Sequence, residues 1–219
     1  MQNNLDLFEP ASETRPERRQ LADGAVVLHG FASAEAAELL DAITTVTSAA
    51  PLRRMTTPGG YTMSVEMSNC GPLGWVSDAS GYRYDPLDPL TGLPWPPMPE
   101  IFCGLAERAA SAAGFSGFEP DACLINRYAA GSKLGLHQDR DERNAAHPIV
   151  SVSLGLPANF VFGGKRRTER TTKVALQHGD VVVWGGPARL FHHGVLTLKD
   201  GVHSQTGRFR FNLTLRRAA

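Results

Sequence analysis

The chain lacks the features that mark several protein classes. No apolar run approaches the ~18 residues needed to cross a bilayer as a helix, which excludes a helical membrane span. Cysteine is scarce. The three present, Cys70, Cys103 and Cys123, are far apart and form no CxxC pair, which argues against a disulfide framework or structural zinc and for a reducing compartment. There is no excess of charge of either sign, with 22 Lys+Arg against 22 Asp+Glu, so nucleic-acid contact would have to come from local patches rather than a global field. The opening MQNNLDLFEP has no basic stretch leading into an apolar core, which argues against a secretory signal. Repeats and low-complexity tracts are also missing. What remains is 219 residues at 42% hydrophobic and 20% charged, enough to bury a proper core. The expectation is a soluble, cytoplasmic, globular protein that does not associate with membranes, and nothing points beyond a monomer.

Residues 1–20 are polar, carry Pro10 and Pro16, and read as a flexible N-terminal arm. Gly24 to His29 suggests a short strand. Ser33 suits an N-cap for a helix over 34–49 that Pro51 ends. Tyr61 to Met67 alternates after a Pro-Gly-Gly turn and predicts a hairpin strand. Residues 68–99 hold two of the three tryptophans, two tyrosines and a proline cluster, which reads as a long aromatic loop, part of a lid over about 51–98. A helix over 100–113 follows. Beyond residue 121 the pattern is of short strands: 122–128, 133–137, 149–154, 158–162, 173–176, 180–184, 189–193 and 209–215. This predicts a mainly β fold with flanking helices, a jelly-roll core over about 121–217 within one domain spanning 21–219.

The sharpest local feature is His137-Gln138-Asp139. Residues i and i+2 of a strand share a face, so imidazole and carboxylate can converge on one point. A third ligand could come from Leu190-Phe-His-His-Gly194, 56 residues further on, where His192 and His193 compete and strand parity does not decide between them. Two His and one carboxylate form the facial triad of non-haem Fe(II) oxygenases. In Phe209-Arg-Phe-Asn-Leu-Thr-Leu-Arg216 the apolar residues take one face and Arg210, Asn212, Thr214 and Arg216 the other. If that polar face lines the cavity, its two arginines could clamp a dicarboxylate through charge-assisted, bidentate bonds, and 2-oxoglutarate fits beside an open Fe(II).

These motifs resemble the Fe(II)/2-oxoglutarate dioxygenases of the AlkB type. The runs Thr57-Pro-Gly-Gly-Tyr-Thr-Met-Ser-Val65, Asp121-Ala-Cys-Leu-Ile-Asn-Arg-Tyr128, Pro148 to Pro157 and His178-Gly-Asp-Val-Val-Val-Trp-Gly-Gly186 are similar to the bacterial alkylated-DNA-repair members, and the similarity covers roughly residues 21–217. The resemblance implies a double-stranded β-helix. It implies His137, Asp139 and His193 as iron ligands, and so favours His193 over His192. Asn126, Tyr128, Arg210, Asn212 and Arg216 match the 2-oxoglutarate contacts, with Arg210 at the distal carboxylate and Arg216 near the metal-binding end. Trp75, Tyr82, Tyr84, Asp141 and Arg167 fall where the family binds the damaged nucleotide.

The activity implied is oxidative dealkylation of bases such as 1-methyladenine and 3-methylcytosine in single- or double-stranded DNA, with RNA as a further candidate. It would use Fe(II), 2-oxoglutarate and O2 and release formaldehyde. A base inside a duplex must leave the stack to reach a buried metal. Trp75 could stack on it with His137 as the opposite wall, and Asp141 could favour the cationic alkylated bases. Five cations against one carboxylate over 165–173 suit phosphate contacts. The alternative is a dioxygenase hydroxylating a protein side chain or small metabolite on the same core. A binder without catalysis is disfavoured by the triad and both arginines.

Overall fold

The computed structural model describes residues 17–219. In chain order the elements are β1 (Arg18–Ala22), β2 (Ala25–Leu28), α1 (Ala36–Ala49), β3 (Arg53–Thr56), β4 (Thr62–Cys70), β5 (Gly74–Asp78) and β6 (Gly81–Asp85). They continue with α2 (Glu100–Ala112), β7 (Ala122–Tyr128), β8 (Leu134–His137), β9 (Ile149–Gly155), β10 (Ala158–Phe162), β11 (Thr172–Leu176), β12 (Val181–Trp184), β13 (His193–Val195) and β14 (Arg210–Arg216). An eight-stranded sheet runs β1-β2-β12-β9-β14-β7-β4-β3 and a four-stranded one β11-β10-β13-β8, while among the described residues β5 and β6 pair only with each other. All strand pairings are antiparallel, as the jelly-roll expectation requires.

Three layers result. The helices cover the outer face of the large sheet because their apolar residues recur at helical spacing: Ala36, Leu39, Ile43 and Val46 on α1, and Phe102, Leu105, Ala106, Ala109 and Ala110 on α2. They pack on Val26, Leu28, Val150, Val152, Val181, Val183, Leu213 and Leu215. The opposite face of the same strands presents Val27, Ile149, Val182 and Trp184 to Phe160, Phe162, Val174 and Leu176 of the small sheet. Strands covered on both faces read as near-continuous apolar runs, and Val181-Val-Val-Trp184 is buried throughout. Each fully buried Val or Leu contributes about 1.5–3 kcal/mol relative to exposure.

The structure corrects four local expectations. Helix α1 begins at Ala36 behind Glu35 and has no side-chain cap. Ser33 lies instead against the Gly179 turn, in a tight bend where Ala32 N–H donates to Gly179 O. The supposed loop over 68–99 opens with the end of β4 and contains the β5–β6 hairpin, which carries Trp75, Tyr82 and Tyr84. Residues 189–193 are not a strand: a short helical turn over Gly186–Ala188 leads through Arg189, and only His193–Val195 pairs. Of the arm over 1–20, residues 18–20 belong to β1, while 1–16 lie outside the described residues.

Candidate active site

Between the two sheets lies a cavity of about 550 Å³. Its small-sheet wall carries the histidines. β8 and β13 are antiparallel neighbours in which His137 stands directly opposite His193, and the ring centroids are 4.4 Å apart. Such pairing lets two strands deliver side chains to one point. The glycine after His193 permits it, since a Cβ on Gly194 would meet Leu134 O at 2.8 Å and push the strands apart. Asp139, just past β8, completes the cluster: its carboxylate is 3.5 Å from His137 Nε2 and 3.8 Å from His193 Nε2. These three residues form the one potential metal-holding cluster among the described residues. His192 lines the same cavity, but its Nδ1 faces Gly164 O at 3.2 Å.

The electrostatics suit a cation. Burial and the neighbouring His137 push His193 down to about 3, so its imidazole is neutral and free to ligate. His137 is pulled down by burial, but the hydrogen bond and charge of Asp139 outweigh this and leave it raised. Burial alone would raise the Asp139 carboxyl, yet the Arg216 guanidinium and both imidazoles hold it well below the usual range. Nδ1 of His137 points to Gly135 O at 2.8 Å and that of His193 to Phe191 O at 3.0 Å, which aims each Nε2 inward.

The large-sheet wall comes from β14, flanked by β7 and β9. Arg210, Asn212, Thr214 and Arg216 all line the cavity, as the alternation predicts. Arg210 is 1% exposed and lies over the Tyr128 ring at 5.0 Å; its Nη2 donates to Ser153 Oγ at 2.9 Å. Its Nε and Nη1, the Tyr128 hydroxyl and Asn126 Oδ1 have no partner among the described residues. Leaving buried polar groups unpaired costs roughly 1–3 kcal/mol each, so a cluster of them around an arginine is chemistry suited to an anion. That donor set fits the carboxylate of a 2-oxo acid, and the triad fits Fe(II). Asn212 is fully engaged: its amide N–H groups reach Ser151 Oγ and Val152 O, and its oxygen accepts from Asn126 and Thr214. It therefore orients Asn126. Arg216 binds Asp139 Oδ2 through Nη2 at 2.8 Å and Nε at 3.1 Å.

The mouth is formed by the β5–β6 hairpin. Trp75 and Tyr82 stack 5.6 Å apart, and Trp75 Nε1 donates to Asp141 Oδ2 at 2.8 Å. Tyr84 OH donates to Glu142 Oε1 at 2.7 Å. Arg167 is exposed on the rim and donates through Nη1 to Leu136 O. All five residues predicted at the substrate end thus line one cavity with those predicted to hold the metal and the cosubstrate. No sequence signal singled out Glu142, whose side chain is 2% exposed and bridges Tyr84, Arg189 and Arg216. Sequence reasoning also missed Ser153. The serines alternating through Ile149-Val-Ser-Val-Ser-Leu154 were a signal, because they face Asn212 and Thr214 across the ladder.

Facing sheets with a His-Asp-His cluster beside an orphaned, buried arginine define a non-haem iron oxygenase that takes a 2-oxo acid as cosubstrate. Comparison with known proteins agrees. The model of the 2OG-Fe(II) oxygenase superfamily matches residues 24–216. The chain is 57% identical over 215 residues to the alpha-ketoglutarate-dependent dioxygenase AlkB of Salmonella typhimurium and 56% over 214 residues to that of Escherichia coli, covering 98% of each chain in both cases. A shorter match, 36% over 123 residues, is to the nucleic acid dioxygenase ALKBH1 of Mus musculus, covering 56% of this chain and 31% of that protein. The solved structure of OsALKBH1 superposes with a TM-score of 0.81 at 27% identity, over 92% of this chain and all of that one. The chain belongs to the 2OG-Fe(II) oxygenase superfamily and, within it, to the AlkB dioxygenases, enzymes that depend on Fe(II), 2-oxoglutarate and O2.

Proposed function

We propose that this enzyme oxidatively dealkylates N-alkylated bases such as 1-methyladenine and 3-methylcytosine in DNA, with RNA as a further candidate. The observation that carries the reading is the stacked Trp75–Tyr82 pair, bonded to the Asp141 carboxylate, at the mouth of a cavity floored by His137, Asp139 and His193. The relatives named above include a nucleic acid dioxygenase, which supports a nucleic-acid substrate over a protein or metabolite.

His137, Asp139 and His193 would hold the iron. Arg210, with Tyr128 and Asn126, would hold the distal carboxylate of 2-oxoglutarate, and Arg216 would fix Asp139 beside its metal-binding end. When bound, iron with 2-oxoglutarate and O2 supplies the oxidation of the N-alkyl carbon, after which formaldehyde leaves. The protein's own groups position the base. Trp75 stacks on a flipped base, an interaction worth about 1–3 kcal/mol. One oxygen of Asp141 takes the Trp75 N–H, and the other has no partner among the described residues. That oxygen can accept from an exocyclic amino group of adenine or cytosine while the charge attracts the cationic ring. At ~4 Å and an effective dielectric near 20 this attraction is roughly 4 kcal/mol before desolvation. Tyr82 and Tyr84 would brace the mouth, and Arg167, with Lys133 and Arg140 on the same rim, would contact phosphates.

Residues 21–219 would act as one catalytic unit, with the lid over about 51–98 as its substrate-binding part. The unit would be a cytoplasmic monomer, consistent with three free cysteines and with no described helix long and apolar enough to cross a membrane.

The test is mass spectrometry of a panel of alkylated DNA and RNA oligonucleotides after incubation with Fe(II) and 2-oxoglutarate. The expected result is loss of the alkyl group from 1-methyladenine and 3-methylcytosine with matching formaldehyde and succinate. Succinate formation unaffected by every oligonucleotide, but stimulated by a protein or metabolite extract, would overturn the reading.

A further inference from the structure

His137 and His193 are placed by strand pairing, but Asp139 is not. It lies beyond the end of β8, in a stretch with no helix or strand until Ile149. Arg216 holds its carboxylate, and something else must hold its backbone. We propose that Arg189 is a positioning residue that ties the loop carrying Asp139 to the segment carrying His193, setting the metal ligands in register before a metal arrives. The proposal rests on the metal-site reading above.

Arg189 follows the helical turn Gly186–Ala188 and precedes His193 by four residues. It lies outside the cavity lining and is 3% exposed. Each nitrogen of its guanidinium has its own acceptor on the opposite loop: Nη1 donates to Asp139 O at 2.7 Å, Nη2 to Glu142 Oε2 at 2.9 Å and Nε to His147 O at 2.9 Å. One planar group thus fixes three points spread along residues 139–147, the first being the main chain of a metal ligand. A lysine could supply the charge but not the three-way geometry. A buried ion pair is by itself poor support for stability, because desolvating both charges offsets most of their attraction. The arrangement is better explained by placement. Groups that orient metal ligands without touching the metal typically change affinity by roughly ten- to a hundredfold when removed.

The test uses metal-free full-length protein and Co(II), followed by calorimetry and by the visible ligand-field bands, alongside the thermal midpoint. Wild type should bind one equivalent. Arg189→Ala should bind roughly ten- to a hundredfold more weakly with altered bands, and Arg189→Lys should recover only part of the loss. Absence of Co(II) binding by wild type would sink the metal-site reading itself. A folded Arg189→Ala with a lower thermal midpoint but unchanged affinity and bands would show that Arg189 only stabilises the fold, and the proposal would be withdrawn. If the alanine variant does not fold, Arg189→Lys is read in the same way, and failure of both to fold also overturns the positioning role.

Discussion

The floor and the mouth of the cavity are held by different kinds of bond. On the floor, backbone ladders decide where side chains point. His137 faces His193 by register, and the polar side of β14 faces inward because both its neighbours pair with it residue by residue. At the mouth, β5 and β6 belong to neither large sheet, and the hairpin is moored largely by side chains. Asn69 bonds both backbone polar groups of Trp75, Ser77 Oγ donates to Thr56 O, and Trp95 Nε1 donates to Asp85 O. Arg53 and Asp88, both largely buried, tie β3 to the chain beyond the hairpin. A floor residue therefore serves chemistry and fold together, while a mouth residue can change with the core intact. Metal and cosubstrate affinity should follow the floor, and substrate choice the mouth.

The strongest way to break this comparison is at the triad. Asp139→Ala or His193→Ala should reduce turnover to background and abolish stoichiometric Co(II) binding, while His192→Ala should keep most of both. If activity and metal binding are lost in His192→Ala and kept in His193→Ala, the third ligand is misassigned. Asp139→Ala should also lower the thermal midpoint, because Arg216 would stay buried with Glu142 as its remaining acidic partner at 3.3 Å.

Arg210→Lys comes next. A point charge cannot serve the positions that Nε and Nη1 leave open, and each charge-assisted hydrogen bond is worth about 1.5–3 kcal/mol. The dissociation constant for 2-oxoglutarate, read by fluorescence or calorimetry, should rise at least tenfold, with Co(II) affinity in its absence unchanged. An unaltered constant would remove Arg210 from the cosubstrate site.

The mouth should give the smallest and most selective effects. Asp141→Asn should lower kcat/KM for 1-methyladenine and 3-methylcytosine more than for the neutral 1-methylguanine and 3-methylthymine, and Asp141→Ala should widen that gap. Trp75→Phe keeps a ring but removes the N–H that steadies Asp141, so a loss of a few fold is expected, about 1 kcal/mol for one hydrogen bond. Steady-state kinetics on the four lesions in one oligonucleotide context would decide. Equal proportional losses on cationic and neutral bases would show that Asp141 only shapes the loop behind the metal.

What the sequence revealed follows the same division. Strand alternation made the inward face of β14 legible down to single residues, and HxD placed two members of the candidate metal cluster. The hairpin was not legible. Gly74-Trp-Val-Ser-Asp78 and Gly81-Tyr-Arg-Tyr-Asp85 sit among glycines and prolines that also mark irregular chain, and they form a two-stranded unit too small to carry a clear pattern of its own. The choice between His192 and His193 depended on where β13 begins, and the helical turn before it hid the parity. Glu142 and Arg189 were invisible for another reason. A buried ion pair between distant loops leaves no periodic trace, and charges in polar stretches are usually solvated.

The central position of β14 bears on how the molecule is made. It is the last strand in the sequence, yet it lies between β9 and β7 in the middle of the eight-stranded sheet. During synthesis the strands on either side emerge first and cannot be joined until residues 210–216 follow. Until then two long inner edges stand open, the kind of surface that pairs with other chains and aggregates. Closing the sheet requires contacts between parts of the chain that are distant in sequence, a slow class of folding step. Because the same strand carries Arg210 and Arg216, the sheet closes and the arginines arrive in a single event. A nascent chain stalled before it would lack both the centre of its sheet and the two arginines of the proposed cosubstrate site.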